Sequence, residues 1–399
     1  MIRRVAVLGA GIMGASTALL LARRGRAVVV IDAAAAPMAR ASRWNEGKIH
    51  LGYLYAGDPS LDTARRVLPG GLTFRPLVES LIGTSLAPAI TDHDDTFLVH
   101  RRSVADVEAV AAYFAAVTAL VQAQPQRTQY LTPLARPAMR RLTRSECDAL
   151  ADPAQVVGGF RVPERSVATT WVADRMAAAL AADAHVDLRL STRVLGVRRD
   201  GADRFTVRTP DGDDGPYDAV VNALWEGRLA VDQTMALPPP HAWSHRYRVS
   251  AFVRTRRALD VPSAVICTGP FGDVKNYDRR QFYLSWYPTG LRVDATSLAP
   301  PDDPVYDTAA REALGVAIVD NLARCLPRVR EIADHLGTCR VEGGWVYAAG
   351  AGSLADPAST LHRRDRVGVA GDGRYISVDT GKYSMAPWLA EQVVAQLLG

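Results

Sequence analysis

The sequence predicts an α/β protein with two lobes: a Rossmann-like dinucleotide-binding lobe, and a discontinuous α+β lobe containing a mainly antiparallel sheet. Three observations carry that expectation. A strand, a glycine turn, a helix and a second strand occupy residues 4–32. Segments of the same character return near 165–225 and 366–373, so that lobe is assembled from separate stretches of chain. Blocks of different character lie between them, and 399 residues exceed what one ordinary core organises. The expected division is 1–75, 165–235 and 340–399 for the nucleotide lobe, with 76–164 and 236–339 forming a substrate or cap lobe.

Each element follows from local pattern. Arg4–Leu8 is a short apolar run suited to a buried parallel strand. Gly9-Ala10-Gly11-Ile12-Met13-Gly14 comes next, residues 15–24 read as a helix closed by Gly25, and Ala27–Ile31 is a second strand ending at Asp32. Gly9 permits the tight turn, Gly11 lets a pyrophosphate approach the backbone, and Gly14 allows close helix–strand packing. Ile12 and Met13 open the helix, whose positive end faces the phosphates. Asp32, 18 residues beyond Gly14, can accept hydrogen bonds from an adenosine ribose.

Further along, residues 172–182 are helical in pattern. Two strand-like runs at 204–209 and 217–223 flank a turn at 211–215 and read as a hairpin. Residues 366–373 read as a strand ending in a glycine–acid turn, and 386–398 as a closing helix. In the second lobe, 75–165 is helix-leaning and polar, while strand patterns run over 245–255, 264–268 and 281–288. Pro238-Pro239-Pro240 marks a crossing between the lobes.

Composition narrows the function classes. The balance of 47 basic against 42 acidic side chains is mildly positive, but arginine pairs such as Arg23-Arg24, Arg101-Arg102 and Arg363-Arg364 are scattered among acids. No basic stripe with interleaved aromatics exists, so nucleic acid is not an expected partner. No run approaches the roughly 20 apolar residues of a membrane span. The chain enters its first strand without a targeting segment, and Cys147, Cys267, Cys325 and Cys339 are far apart with no CxxC pair. A cytoplasmic protein with reduced thiols and no metal site is expected. Only Lys48, Lys275 and Lys382 are lysines among the basic residues. Coding bias explains the arginine excess, yet a site needing a compact ammonium cannot drift to arginine, which singles out those three.

The pattern resembles the FAD-dependent oxidoreductases of the D-amino-acid oxidase type, the group of glycine oxidase and monomeric sarcosine oxidase. The resemblance runs nearly end to end. It rests on Gly9–Gly14 with Asp32, on Ser42-Arg43-Trp44-Asn45-Glu46-Gly47, on Val220-Val221-Asn222-Ala223, and on the glycine-rich segment near the C-terminus. It implies FAD extended across the Rossmann-like lobe, with the isoalloxazine facing a sheet of the other lobe. Ser42 and Arg43 would then lie by the pyrophosphate in a turn shared with Asn45 and Gly47. Val194 would lie by the adenine, and Thr380, Gly381 and Lys382 by the flavin, with Ala223, Gly371 and Asp372 completing the cofactor contacts. Three departures stand out. Leu224-Trp225 intervene where the family has a small residue and glycine. Residues 343–347 hold no cysteine, so noncovalent FAD is expected. Arg292 stands where a lysine activates oxygen, so that role falls to an arginine or is lost.

Chemistry selects the remaining candidates. An amine must be neutral before a hydride can leave its carbon, and a nearby cation lowers its pKa. Lys48 and His50 follow the pyrophosphate turn in a segment dense in polar side chains; His50 reads equally as a hydrogen-bonded packing residue. Tyr53 closes that segment as a substrate contact. Lys382 lies in a glycine turn, where Thr380 is either a flavin contact or a helix cap. Tyr283 and Tyr287 would share one face of a strand, and Trp286 reads as substrate contact or core. Lys275, in a loop near the pocket mouth, and Arg374, as an anion clamp or a surface residue, complete the set.

The expected reaction is oxidation or dehydrogenation of the C–N bond of an amine or amino acid, with hydride transfer to flavin N5 and release of an imine. Oxygen or another acceptor would reoxidise the flavin. Oxidation of a C–O bond in a hydroxy acid or polyol is the alternative, and a non-catalytic dinucleotide-binding module is the alternative of another class. Oligomeric state stays open.

Overall fold

The computed structural model describes residues 2–201 and 203–399, with Asp372 described in its backbone only. Six strands form one sheet in the order Gly368–Asp372, Tyr375–Asp379, Ala219–Asn222, Arg4–Leu8, Ala27–Ile31 and Val186–Arg189. Neighbours are parallel except in the edge hairpin that joins the first two. The central strands are apolar on both faces because both are covered. Val5, Val7, Val28 and Val30 pack into the helical layer, where Ile12–Arg23 lies against Thr169–Ala182 and Ala386–Leu398. Ala6, Leu8, Val29 and Ile31 pack instead against a three-stranded antiparallel sheet through Val197, Phe205 and Val207.

A nine-stranded sheet builds most of the other lobe. Its path runs Leu291–Ala295, Ser244–Arg254, Gln281–Trp286, Gly272–Asn276, Ala264–Cys267, Asp95–His100, Val156–Val162 and Arg140–Arg141, with Arg340–Ala348 paired along Ser244–Arg254. It is antiparallel except where Ala264–Cys267 meets Asp95–His100. One face rests on the helix Thr308–Ala323, with Val253, Phe282 and Leu284 packed against Ile318 and Leu322. The other face meets the nucleotide lobe, where Asp95 bonds Lys48 and the Tyr277 hydroxyl donates to the Glu46 carbonyl at 3.1 Å.

Several expectations change. The polar block 75–165 contains helices Asp62–Ile82 (from its middle onward) and Val107–Gln122, but also the strands Asp95–His100 and Val156–Val162. Asp95 and Thr96 break the apolar run at the head of Asp95–His100; both are buried, and Asp95 bonds two lysines. Residues 340–348 pair within the nine-stranded sheet rather than joining the nucleotide sheet. The hairpin turn shortens to Pro210-Asp211, since Gly212–Tyr217 is already the returning strand and Ala219–Asn222 belongs to the six-stranded sheet. Lys275 is not in a loop: Gly272–Asn276 is a central strand. Tyr287 lies beyond the strand, which ends at Trp286, and opens the one-turn helix Tyr287–Gly290, where Pro288 cannot continue the ladder.

Candidate active site

Gly9 leaves the first strand with φ of +96°, and a Cβ there would stand 2.7 Å from the Ala223 carbonyl oxygen. Two parallel strands therefore end side by side with their backbones bare. This close approach survives Leu224-Trp225 because the missing side chain is that of Gly9. Gly14 is held against the Gly9 carbonyl, where a Cβ would lie 1.8 Å from the oxygen, so the helix starts directly on the turn. The Ile12 N–H donates to Ser42 Oγ at 2.9 Å. Asp32 accepts from the Ala10 N–H at 2.6 Å and the Ala34 N–H at 2.7 Å, one on each carboxylate oxygen, leaving further lone pairs on both for a ribose.

A cavity of about 520 Å³ starts at this turn. Of the sequence candidates, Gly9, Gly11, Ile12, Met13, Asp32, Ser42 and Asn45 line it, as do Lys48, His50, Val194, Ala223, Thr380, Gly381 and Lys382. Asp32 and Val194 mark one end; Lys48, His50 and Lys382 mark the other. Gly47 stands behind the lining with φ of +66°, where a Cβ would meet the Val167 carbonyl at 1.9 Å. Arg43 turns away: it pairs with Asp174 on Thr169–Ala182, and Arg40 lines the cavity instead.

The lysine end is a buried charge cluster. Lys48 and Lys275 both bond Asp95, Lys275 to Oδ1 at 2.6 Å, and Lys48 also lies 3.8 Å from Glu164. Glu164 in turn accepts from the Leu51 N–H at 2.6 Å and the Gly52 N–H at 3.0 Å, fixing the chain that follows His50. Burial opposes the charge on Asp95, but the two ammoniums outweigh it and hold the acid down at about 2. Burial likewise opposes Lys48, yet Asp95 and Glu164 raise its pKa. Lys275 is fully buried and has the Lys48 charge beside it, so its pKa is pushed down to about 8 despite Asp95. Lys382 is also pushed down to about 8, by burial first, with Glu46 opposing and Arg364, Arg248 and Arg246 adding to the depression. Burial and the surrounding lysines keep His50 well below its ordinary value, an uncharged imidazole at neutral pH.

The same face of the nine-stranded sheet supplies a second group. Arg246, Arg248 and Ser250 alternate along Ser244–Arg254, and in register Arg246 faces Val346, which lines the cavity. Ser250 Oγ donates to the Tyr283 hydroxyl at 3.1 Å. Tyr287 sits between the arginines: Arg246 donates to its hydroxyl at 2.8 Å, and the Arg248 guanidinium lies 4.6 Å from its ring centre. Lys382 Nζ lies 5.6 Å from the Tyr55 ring centre. Among the described residues, the buried atoms His50 Nδ1, Tyr55 Oη, Tyr383 Oη and Arg246 Nη2 have no hydrogen-bond partner. A glycine-bared helix N-terminus in the middle, a carboxylate at one end and polar atoms awaiting partners at the other suit an extended flavin dinucleotide.

Other candidates lie elsewhere. Tyr53 is fully buried, its hydroxyl bonded to Thr118 and its ring against Phe114. Trp286 packs on the opposite sheet face with Phe271. Arg292 is exposed and donates to the Tyr306 hydroxyl at 3.2 Å. Gly371 and Arg374 flank the turn of the edge hairpin. Because Tyr375–Asp379 runs parallel to Ala219–Asn222, that turn lies at the amino end of the strands, away from the Gly9 turn. Backbone contacts of Asp372 place it in the same turn, and its side chain lies outside the described atoms. Conversely, Asp95, Glu164, Tyr55, Arg246, Arg248 and Arg364 were not among the sequence candidates. The alternating arginines of a strand pattern were a signal, masked by arginine's abundance; Glu164 had none.

No helix among the described residues is long and apolar enough to cross a membrane, and none of their acid, cysteine and histidine groups is arranged to hold a metal ion. None of the four free cysteines lines the cavity.

Comparison with known proteins adds the family. No curated protein matches the chain. Glycine oxidase from Geobacillus kaustophilus shares the fold at a TM-score of 0.69 and 16% identity, covering 99% of this chain and 95% of that one. Iminodiacetate oxidase from Chelativorans sp. BNC1 gives 0.66 and 17%, covering 99% and 95%. L-alpha-glycerophosphate oxidase from Mycoplasma pneumoniae, a structure with FAD bound, gives 0.67 and 13%, covering 99% and 94%. Residues 4–367 match the family described as DAO, FAD dependent oxidoreductase. The chain belongs to that family, an enzyme whose cofactor is FAD.

Proposed function

We propose that this enzyme oxidises the C–N bond of an amino acid or amine. The observation that carries the reading is the gathering of Arg246 and Arg248, joined through Tyr287, beside Lys382, which lines the cavity. Cations there would favour the neutral form of a substrate amine and would bind a substrate carboxylate. Two of the three neighbours named above, glycine oxidase and iminodiacetate oxidase, are named for amine substrates, which favours C–N over C–O chemistry.

Asp32 would hold the adenosine ribose, the N–H groups of Gly11 and Met13 with the Ser42 hydroxyl the pyrophosphate, and Thr380 to Lys382 the flavin ring. The binding would be noncovalent. When bound, FAD supplies the two-electron acceptor, taking a hydride at N5. His50, uncharged, would accept a hydrogen bond from the substrate N–H and keep the nitrogen lone pair directed at the carbon being oxidised. Lys48 and Lys275 would fix the segment carrying His50 through Asp95 and Glu164. The resulting imine is hydrolysed by water.

An anaerobic screen of amines, amino acids and hydroxy acids, followed by flavin bleaching, tests this. Bleaching by amines with ammonia or amine released is expected. Bleaching by hydroxy acids alone would overturn the C–N reading.

A further inference from the structure

We propose that residues 299–303 are a strap across the cofactor cavity that must open for FAD to pass, with Asp303 as its latch; this rests on the reading that FAD lies along the cavity from Asp32 to Lys382. Ala299, Pro300, Pro301, Asp302 and Asp303 all line that cavity. They belong to the other lobe, between the strand Leu291–Ala295 and the helix Thr308–Ala323. All but Pro300 are exposed, so the segment forms an outer wall. Across the seam, Arg40 comes from the nucleotide lobe, two positions before Ser42, and lines the same cavity.

Asp303 joins the two sides. One of its carboxylate oxygens accepts from Arg40 Nη1 at 2.9 Å and the other from Trp345 Nε1 at 2.7 Å. Glu226 Oε1 lies 3.9 Å from the same Arg40 nitrogen. The Trp345 carbonyl accepts from Trp225 Nε1 at 2.8 Å, and Trp225 holds a φ of +57°, which a bulky residue rarely adopts. Lining side chains thus tie the strap to the turn that follows Ala219–Asn222. The strap has no ladder of its own. Among the described residues, 297–306 make no backbone–backbone hydrogen bond. Side chains pin its ends, where Trp243 Nε1 donates to the Ser297 carbonyl and Arg311 Nε to the Tyr306 carbonyl, each at 3.3 Å. A segment held in this way opens at low cost. Pro300, Pro301 and Pro304 restrict its backbone, so it swings as a stiff arm between those pins. The side chains of Arg40 and Asp303 are 49% and 41% exposed. An ion pair that wet is easily broken and remade, which suits a latch better than a permanent brace.

Exchange of FAD in the holoenzyme tests this. Loaded enzyme is mixed with excess isotope-labelled FAD and desalted at intervals, and the bound cofactor is read by mass spectrometry; Kd comes from a flavin fluorescence titration. A latch that the cofactor passes on the way in and on the way out slows both steps. Asp303→Ala removes both bonds and is expected to speed exchange at least about tenfold while changing Kd less than about threefold. Asp303→Asn keeps an acceptor for Trp345 and loses the charge, so its rate should fall between. Pro301→Gly leaves the latch intact and loosens the arm, and it too should exchange faster; at an exposed position it puts folding at no risk. Wild-type exchange rates in both Asp303→Ala and Pro301→Gly overturn the proposal. So does a Kd that rises in step with exchange, because Asp303 would then be a cofactor contact and not a latch. Asp32→Ala tests the placement of FAD separately. Unchanged FAD affinity in that variant removes the reading beneath the proposal, whereas weakened affinity there with wild-type exchange in the strap variants removes the strap alone.

Discussion

Asp95→Asn isolates the buried cluster with the least change of shape. The amide keeps the volume and one acceptor but removes the charge that two ammoniums share. Lys48 retains Glu164 at 3.8 Å, whereas Lys275 loses the carboxylate 2.6 Å away and keeps only more distant acids, Asp273 and Glu164. Asp95 is held at about 2 against an ordinary 3.8, which corresponds to about 2.5 kcal/mol of preference for the charged form in the fold. Removing one member of a buried pair costs about 3–5 kcal/mol, so about 3 kcal/mol is a fair expectation. An unfolding entropy of about 2.1 cal/mol/K per residue then gives a Tm lower by about 4 °C. Calorimetry of the FAD-loaded variant at pH 7 measures it. The sign with pH is fixed as well. Because the folded pKa is depressed, the wild-type contribution is complete above about pH 4 and is lost as pH falls through about 2. Asp95→Asn should lack that acid loss. A Tm within about 1 °C of wild type would show that Asp95 does not neutralise the lysines, and the account of the cluster would fall.

Three further predictions follow from the geometry. Lys275 and Lys382 titrate at about 8 against an ordinary 10.5, so the fold sheds their protons before the unfolded chain does, and stability should rise between those two values. Urea midpoints across that range should climb in wild type and less in Lys382→Met; parallel curves would reject the assignment. Asp32→Ala removes an acceptor held by two amides and should raise the Kd for FAD at least about tenfold, or 1.4 kcal/mol, in a flavin fluorescence titration. In Gly71→Ala the new Cβ would fall 2.0 Å from the His50 carbonyl oxygen. The helix Asp62–Ile82 must then shift, costing about 2 kcal/mol or more and lowering FAD occupancy, and wild-type occupancy and Tm would contradict that.

The nucleotide lobe was legible because its determinants are local. The Gly9 turn, the apolar strands and Asp32 lie within one βαβ unit, where period and spacing decide structure. The sheet facing the cavity was harder, since its function comes from register. Nothing near Lys275 in sequence reveals that its strand brings it to Asp95, 180 residues away. Lys275 was singled out for its scarcity and then assigned to a loop, because the glycines at 269 and 272 are turn formers as readily as strand residues. Gly371 and Arg374 failed to reach the cavity for a topological reason. The last strand pair is antiparallel, which sends its turn to the far end of the sheet.

The placement of the three lysines also makes the protein an unusual target for amine chemistry. Lys48 and Lys275 are buried, and all three lie in or beside one cavity. The outer surface is coated with guanidinium groups, which acylating reagents leave alone. Such a reagent would therefore find the site rather than a background of surface amines, apart from the α-amino group. Lys382 combines a depressed pKa with a place in the cavity lining, whereas Lys275 is fully buried, so Lys382 would be the fastest of the three, and its labelling would fall as FAD fills the cavity. Mass mapping after cleavage would give a direct gauge of cofactor loading, with no substrate required.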